Sequence, residues 1–229
     1  MKLPLFLIIL VFLNELSLGQ NEFIINDGSD IYDAKISVDK CSEDNCEGKG
    51  TIKLFDKKTE KLFQTFISDD LYFFFDNSGN PTVNIIQLYN EQSPLIFEDF
   101  NFDGSEDLAI RNGNNSGYGG PSYDVYVYHQ NKKKFVPSEE LTQLAYENLG
   151  MFQTDRERKR IITFQKSGCC WHIMTEYTVV PKKGLVKVYE LEEDAQGGEF
   201  VIVTTRELVN DKWIIKEETF KLDDYYKQE

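Results

Sequence analysis

Hydrophobic and polar residues alternate with a period of two along most of this chain, the spacing that lets a β-strand bury one face and leave the other in water. Within Ile24–Val38, the residues Ala34, Ile36 and Val38 are separated by Lys35 and Ser37, and the pattern continues at Thr51–Phe55 and Leu62–Ile67 around the charged turn Asp56, Lys57, Lys58. Leu71–Phe75 and Thr82–Leu88 are aromatic and β-branched runs on either side of Asp76–Pro81, a composition that predicts a hairpin. Ile96–Phe100 and Leu108–Ile110 flank an acidic loop, and Tyr123–His129 sets Tyr123, Val125, Val127 and His129 on one face. One segment carries a helical period instead. Ser138 caps it, Glu139 and Glu140 sit at its positive end, and Leu141, Leu144, Ala145, Asn148 and Leu149 form a stripe that Gly150 stops. Strands resume at Arg160–Gln165, Trp171–Val180, Leu185–Glu192, Phe200–Glu207 and Trp213–Leu222. Roughly ten antiparallel strands at hairpin spacing with one short helix predict an all-β class, in which a sandwich, a barrel and a small propeller all fit the pattern.

The amino terminus reads differently. Lys2 precedes a nearly unbroken apolar run from Leu3 to Leu13, then Asn14, Glu15 and the small residues Ser17 and Gly19, the layout of a secretory signal peptide. We expect cleavage after Gly19, leaving residues 20–229 as a single domain with no membrane anchor, located in the periplasm or secreted. The formal charge of -14 repels nucleic acid and anionic lipid and favours basic partners or divalent cations. Outside the cytoplasm the four cysteines can oxidise. Cys41 and Cys46 bracket a polar segment long enough to turn back, so a local bridge is the preferred pairing. Neighbours on an extended strand point to opposite faces, which predicts that Cys169 and Cys170 stay unbridged unless the backbone bends. His129 and His172 do not stand at the spacing of a structural zinc site.

The sharpest local signal is the loop from Asp99 to Asp107. Counting Asp99 as the first position, side-chain oxygens of Asp99, Asn101, Asp103 and Asp107 recur at alternate places, Gly104 allows the tight turn, and Ser105 can offer its carbonyl. Ca²⁺ takes six to eight such oxygens. Ile110 stands where a helix-loop-helix hand requires glutamate, so the expected site is strand-loop-strand.

That loop, the glycine-rich stretch after it, the strand Tyr123–Tyr128, the pair Phe135 and Val136 and the helix start at Ser138–Leu141 together resemble a family of bacterial periplasmic proteins. Its members are small β-propeller-like proteins with one bound calcium, akin to periplasmic inhibitors of invertebrate-type lysozyme, and the resemblance spans Leu71 to Val180. It implies a propeller-like fold, calcium at Asp99, Asn101, Asp103, Ser105 and Asp107, and inhibition of a lysozyme, a basic protein that an acidic one attracts. Inhibitor families of this kind insert a loop in which tyrosine follows Ser-Gly by three positions. Here Ser116 and Gly117 are followed at once by Tyr118, so the tyrosine is misplaced for that motif; the flexible glycine frame still offers a partner-binding loop at Ser116, Gly117, Tyr118 and Tyr123.

Catalysis has little to stand on. Cys170 and His172 share a strand face with Glu176, but no motif for phosphate, dinucleotide or metalloprotease chemistry occurs. The expectation is an exported calcium-stabilised protein-binding module and lysozyme inhibitor, with a secreted hydrolase using an acidic site as the alternative.

Overall fold

The computed structural model describes residues 21–228; the signal peptide and its cleavage after Gly19 lie outside them. Three antiparallel sheets follow one another along the chain. The first contains β1 (Asn21–Ile25), β2 (Tyr32–Cys41), β3 (Asn45–Asp56) and β4 (Leu62–Phe74), paired in chain order. Their alternation buries Ala34, Ile36 and Val38 with Ile52, Leu54, Leu71 and Phe73, and Ile36 lies opposite Ile52. Gly50 is required where β3 passes β4, since a Cβ there would stand 2.7 Å from Leu71. Cys41 faces Cys46 across β2 and β3, and a disulfide joins them.

The second sheet holds β5 (Leu95–Glu98), β6 (Asp107–Arg111), β7 (Tyr123–His129) and β8 (Lys134–Pro137). Both of its faces are covered. Leu95, Phe97, Leu108, Ile110 and Phe135 join the core of the first sheet. Their alternates Ile96, Ala109, Tyr123 and Val125 pack instead with Phe152, Ile161 and the helix α1 (Glu139–Glu147), which contributes Leu141, Leu144 and Ala145. Burying each large side chain contributes about 2 kcal/mol, and strand β6 is buried at every position.

The third sheet runs as a meander through β9 (Gln153–Asp155), β10 (Arg160–Ser167), β11 (Trp171–Val180), β12 (Gly184–Asp194), β13 (Phe200–Val209) and β14 (Lys212–Lys221), followed by a one-turn helix, α2 (Leu222–Tyr225). A smaller core of Ala195, Val201 and Val203 sits beneath Leu222 and Tyr225.

The all-β reading needs correction in its architecture. The sheets have four, four and six strands and open ends; none closes into a barrel or curls into a propeller, and two facing sheets do not describe them either. Alternation reports which face of a strand is apolar, not how the sheets stack. Thr82–Leu88 forms no strand: it makes isolated bridges, and Asn84 turns with φ of 61° while its side chain bonds Gly28 and Phe97.

Candidate functional site

The acidic loop joining β5 to β6 is tied by its own side chains. Asp103 N–H donates to Asp99 Oδ1 at 3.0 Å and to Asn101 Oδ1 at 2.9 Å. Gly104 N–H donates to Asp99 Oδ2, and Ser105 N–H to Asp103 Oδ1, both at 2.8 Å. Ser105 Oγ accepts from Gln130 Nε2 at 3.1 Å. Asp107 is fully buried; it accepts from Phe100 N–H at 3.0 Å and from Tyr128 N–H at 2.8 Å. Burial pushes its carboxyl up to about 7, and the charges of Asp103 and Asp99 act in the same direction.

The five residues converge, then, as a turn fixed by Asx hydrogen bonds. Among the described residues no group of three or more His, Cys, Asp or Glu side chains is arranged to hold a metal ion. With no propeller among the described residues either, the fold does not support a calcium-stabilised lysozyme inhibitor. Uptake of Ca²⁺ by Asn101, Ser105 and the three aspartates of this loop is a narrower matter, kept as a proposal to be tested by melting.

The acidic hydrolase alternative has no support either, since no metal-holding acidic cluster is assembled among the described residues, and the cysteine constellation supplies no nucleophile. Cys169 and Cys170 are bridged to each other, so Cys170 has no thiol to offer. The expectation of unbridged sulfurs assumed an extended backbone, whereas Gly168, with φ of 64°, opens a turn between β10 and β11 there. Glu176 accepts two hydrogen bonds of 2.9 Å from Arg158.

What the structure does assemble is an aromatic face around the glycine-rich loop. Chain reversal from Arg111 to Tyr123 is closed by Asn112 N–H donating to Ser122 O at 2.8 Å and Ser122 N–H to Gly113 O at 3.1 Å. Gly117 N–H donates to Asn148 O just past α1 at 2.8 Å, which anchors a single 3₁₀ turn, Gly117–Gly119. At its centre Tyr118 has φ of 59°, and its ring is 65% exposed. Its hydroxyl accepts from Gly168 N–H in the bridged turn. Tyr89, from the irregular segment between the first two sheets, has φ of 61° and is 62% exposed. The Lys166 ammonium lies 4.6 Å from the Tyr89 ring centre and 4.8 Å from that of Tyr118. Two bulky residues thus occupy the left-handed region with their rings in water, at a cost of about 1–2 kcal/mol each.

Beside this pair opens a cleft of about 620 Å³ lined by Phe74, Phe75, Tyr89, Gln92, Arg111 and Pro121. Arg111, 7% exposed, has its guanidinium 4.9 Å from the Tyr72 ring centre and donates to Asn114 Oδ1. Its Nε has no partner, and burial lowers its pKa. Gln92 is locked by Met151 N–H, which donates to Oε1 at 2.9 Å. Gly150 is needed at that crossing, since a Cβ there would stand 2.6 Å from the Gln92 amide.

Of the loop residues singled out from sequence, Tyr118 is presented to solvent and Gly117 anchors the turn. Ser116 is buried with an unpartnered hydroxyl. Tyr123 lies wholly in the core and donates from its hydroxyl to Ser93 O at 2.8 Å. Tyr89, Lys166 and Arg111 were not foreseen; no local pattern marks them.

No known protein-family profile matches the chain, and no curated protein does. Among solved structures it is similar to one titled "Structure of a Xanthomonas Type IV Secretion System related protein", with a TM-score of 0.65 at 21% identity, covering 90% of this chain and 96% of that one. At that identity the likeness concerns the fold. It lends no support to the lysozyme-inhibitor family expected from the sequence. Among the described residues no helix is long and apolar enough to cross a membrane.

Proposed function

We propose that residues 20–229 act as one exported domain that binds another protein without catalysis, in the periplasm or outside the cell, as an accessory to a secretion apparatus. The observation that carries this reading is the pair Tyr89 and Tyr118, two solvent-facing rings held in a costly backbone conformation by surroundings that over-determine it. Rigid tyrosines beside a cleft are the residue type that dominates binding energy at protein interfaces. Arg111 and Lys166 place two cations on this face of an acidic chain, which suits a partner offering an apolar side chain flanked by a carboxylate. Export is supported by the apolar leader and by two disulfides, which persist where the medium oxidises. The role beside a secretion apparatus is supported by the likeness to the Xanthomonas protein.

The test is co-purification from cells expressing the tagged full chain, compared with Tyr89→Ala/Tyr118→Ala and with a control at Ile24→Ala, an exposed residue outside the cleft lining. A protein partner retained by wild type and control but lost from the double variant is the expected result. An unchanged set of retained proteins in the double variant refutes the assignment of this face.

A further inference from the structure

The outer strand of the third sheet, β14, is exposed at every one of its ten positions. Along one side it pairs with β13 in unbroken register, from Phe200 opposite Lys221 to Val209 opposite Lys212. Its other side is the edge of the sheet and meets no strand of the described chain. Exposed edges are normally kept short, bulged or broken by proline. This one is long and regular, has no proline or glycine, and shows Trp213, Ile214, Ile215 and Phe220 at 42%, 56%, 63% and 38% exposure. Its only guard is charge, supplied by Lys212, Lys216, Glu217, Glu218 and Lys221.

Those charges are ordered so that they favour one pairing of the strand with itself. A two-fold axis normal to the sheet joins two antiparallel edges by setting residues of like parity opposite each other. With Glu217 on the axis, Lys216 faces Glu218 of the second copy, Ile214 faces Phe220, Ile215 faces Thr219 and Trp213 faces Lys221, every pair occurring twice. Sliding the register spoils this. An axis at Lys216 opposes lysine to lysine and Ile214 to Glu218, and an axis at Glu218 sets Lys216 against Phe220. An axis at Ile215 recovers a Lys212–Glu218 pair but sets Trp213 against Glu217 and Ile214 against Lys216. We propose that β14 is a homodimerisation edge: two copies join through it, with Glu217 on the two-fold axis, into one continuous antiparallel sheet of twelve strands, six from each. Lys216 and Glu218 now bond along the strand at 2.6 Å, an exposed pair that is worth little and is readily exchanged for the intermolecular one. Among directly opposed residues the single like-charge pair is Glu217 with its own copy.

The experiment is sedimentation velocity on the mature chain over a concentration series up to about 100 μM, with melting curves confirming that each variant is folded. Wild type is expected to dimerise. Lys216→Glu and Glu218→Lys each turn two attractive pairs into repulsive ones and should weaken the dimer about 10- to 100-fold. Mixed in equal amounts, the two variants should form a heterodimer, because each then meets its opposite, and the double variant should regain the homodimer. Glu217→Gln should tighten it a few-fold. A wild type that stays monomeric throughout, as it would if the edge served a strand of a different protein, overturns the proposal. So does a dimer indifferent to both charge reversals, or a mixture that fails to associate.

Discussion

Glycine and alanine substitutions at Tyr89 and Tyr118 separate strain from contact. At ordinary loop positions with negative φ, alanine is more stable than glycine by about 0.4–1 kcal/mol, because glycine gains freedom in the unfolded chain. Here φ is 61° and 59°, where an L-residue costs about 1–2 kcal/mol and glycine costs nothing. Either replacement forfeits the exposed ring's contact with Lys166, worth about 0.5–1 kcal/mol. Only glycine recovers the strain. The order should therefore invert, with glycine above alanine by about 0.5–1 kcal/mol per site and about 1–2 kcal/mol for the two sites together. Sharing Lys166 makes the sum approximate. With a urea dependence of about 2 kcal/mol per molar, the double-glycine and double-alanine variants should differ in unfolding midpoint by about 0.5–1 M. Both should fail to retain the partner. A folded, non-binding glycine variant shows that the tyrosines serve recognition at the expense of the fold. If alanine proves equal or superior to glycine at both sites, the argument from backbone strain is wrong.

Two further outcomes follow. Burial raises the pKa of Asp124 despite hydrogen bonds from Asn112 and Tyr146. A carboxyl raised on folding costs stability as pH climbs from its unfolded value near 3.9 through its folded one, so Asp124→Asn should gain on wild type in urea midpoint as pH rises from about 3.5 and then level off above the folded value, and a gain that shrinks over that rise contradicts this. The Ca²⁺ proposal for Asp99, Asn101, Asp103, Ser105 and Asp107 expects a melting temperature several degrees higher in excess calcium than in chelator, and no difference at matched ionic strength removes it.

Several elements were readable from their period alone. Tyr123–His129 and Trp171–Val180 form over the same bounds as their alternation indicates, and α1 follows its stripe of Leu141, Leu144 and Ala145. Thr82–Leu88 has strand composition but was misread, because Asn84 spends its amide on Gly28 and Phe97 and turns the chain aside. The stacking of sheets was illegible, since β6 shows apolar residues on both faces and does not say which neighbour covers which. The glycine-rich loop announced Tyr118. Tyr89, Lys166 and Arg111 reach the same face from separate segments, and only the packing of all three sheets brings them together.

The doubly covered middle sheet also bears on how the molecule comes apart. Its apolar positions are divided between two neighbours, with Leu108 and Ile110 belonging to one core and Ala109, one residue away, to the other. Losing either outer sheet would wet one whole side of β6, whose buried Asp107 depends on amides from two different segments. Opening should therefore be an all-or-none event over most of the chain, with partial unfolding confined to the outer end of the third sheet, where β13 and β14 rest on a small core of their own. No cut between the first two sheets would leave a fragment with its apolar faces covered.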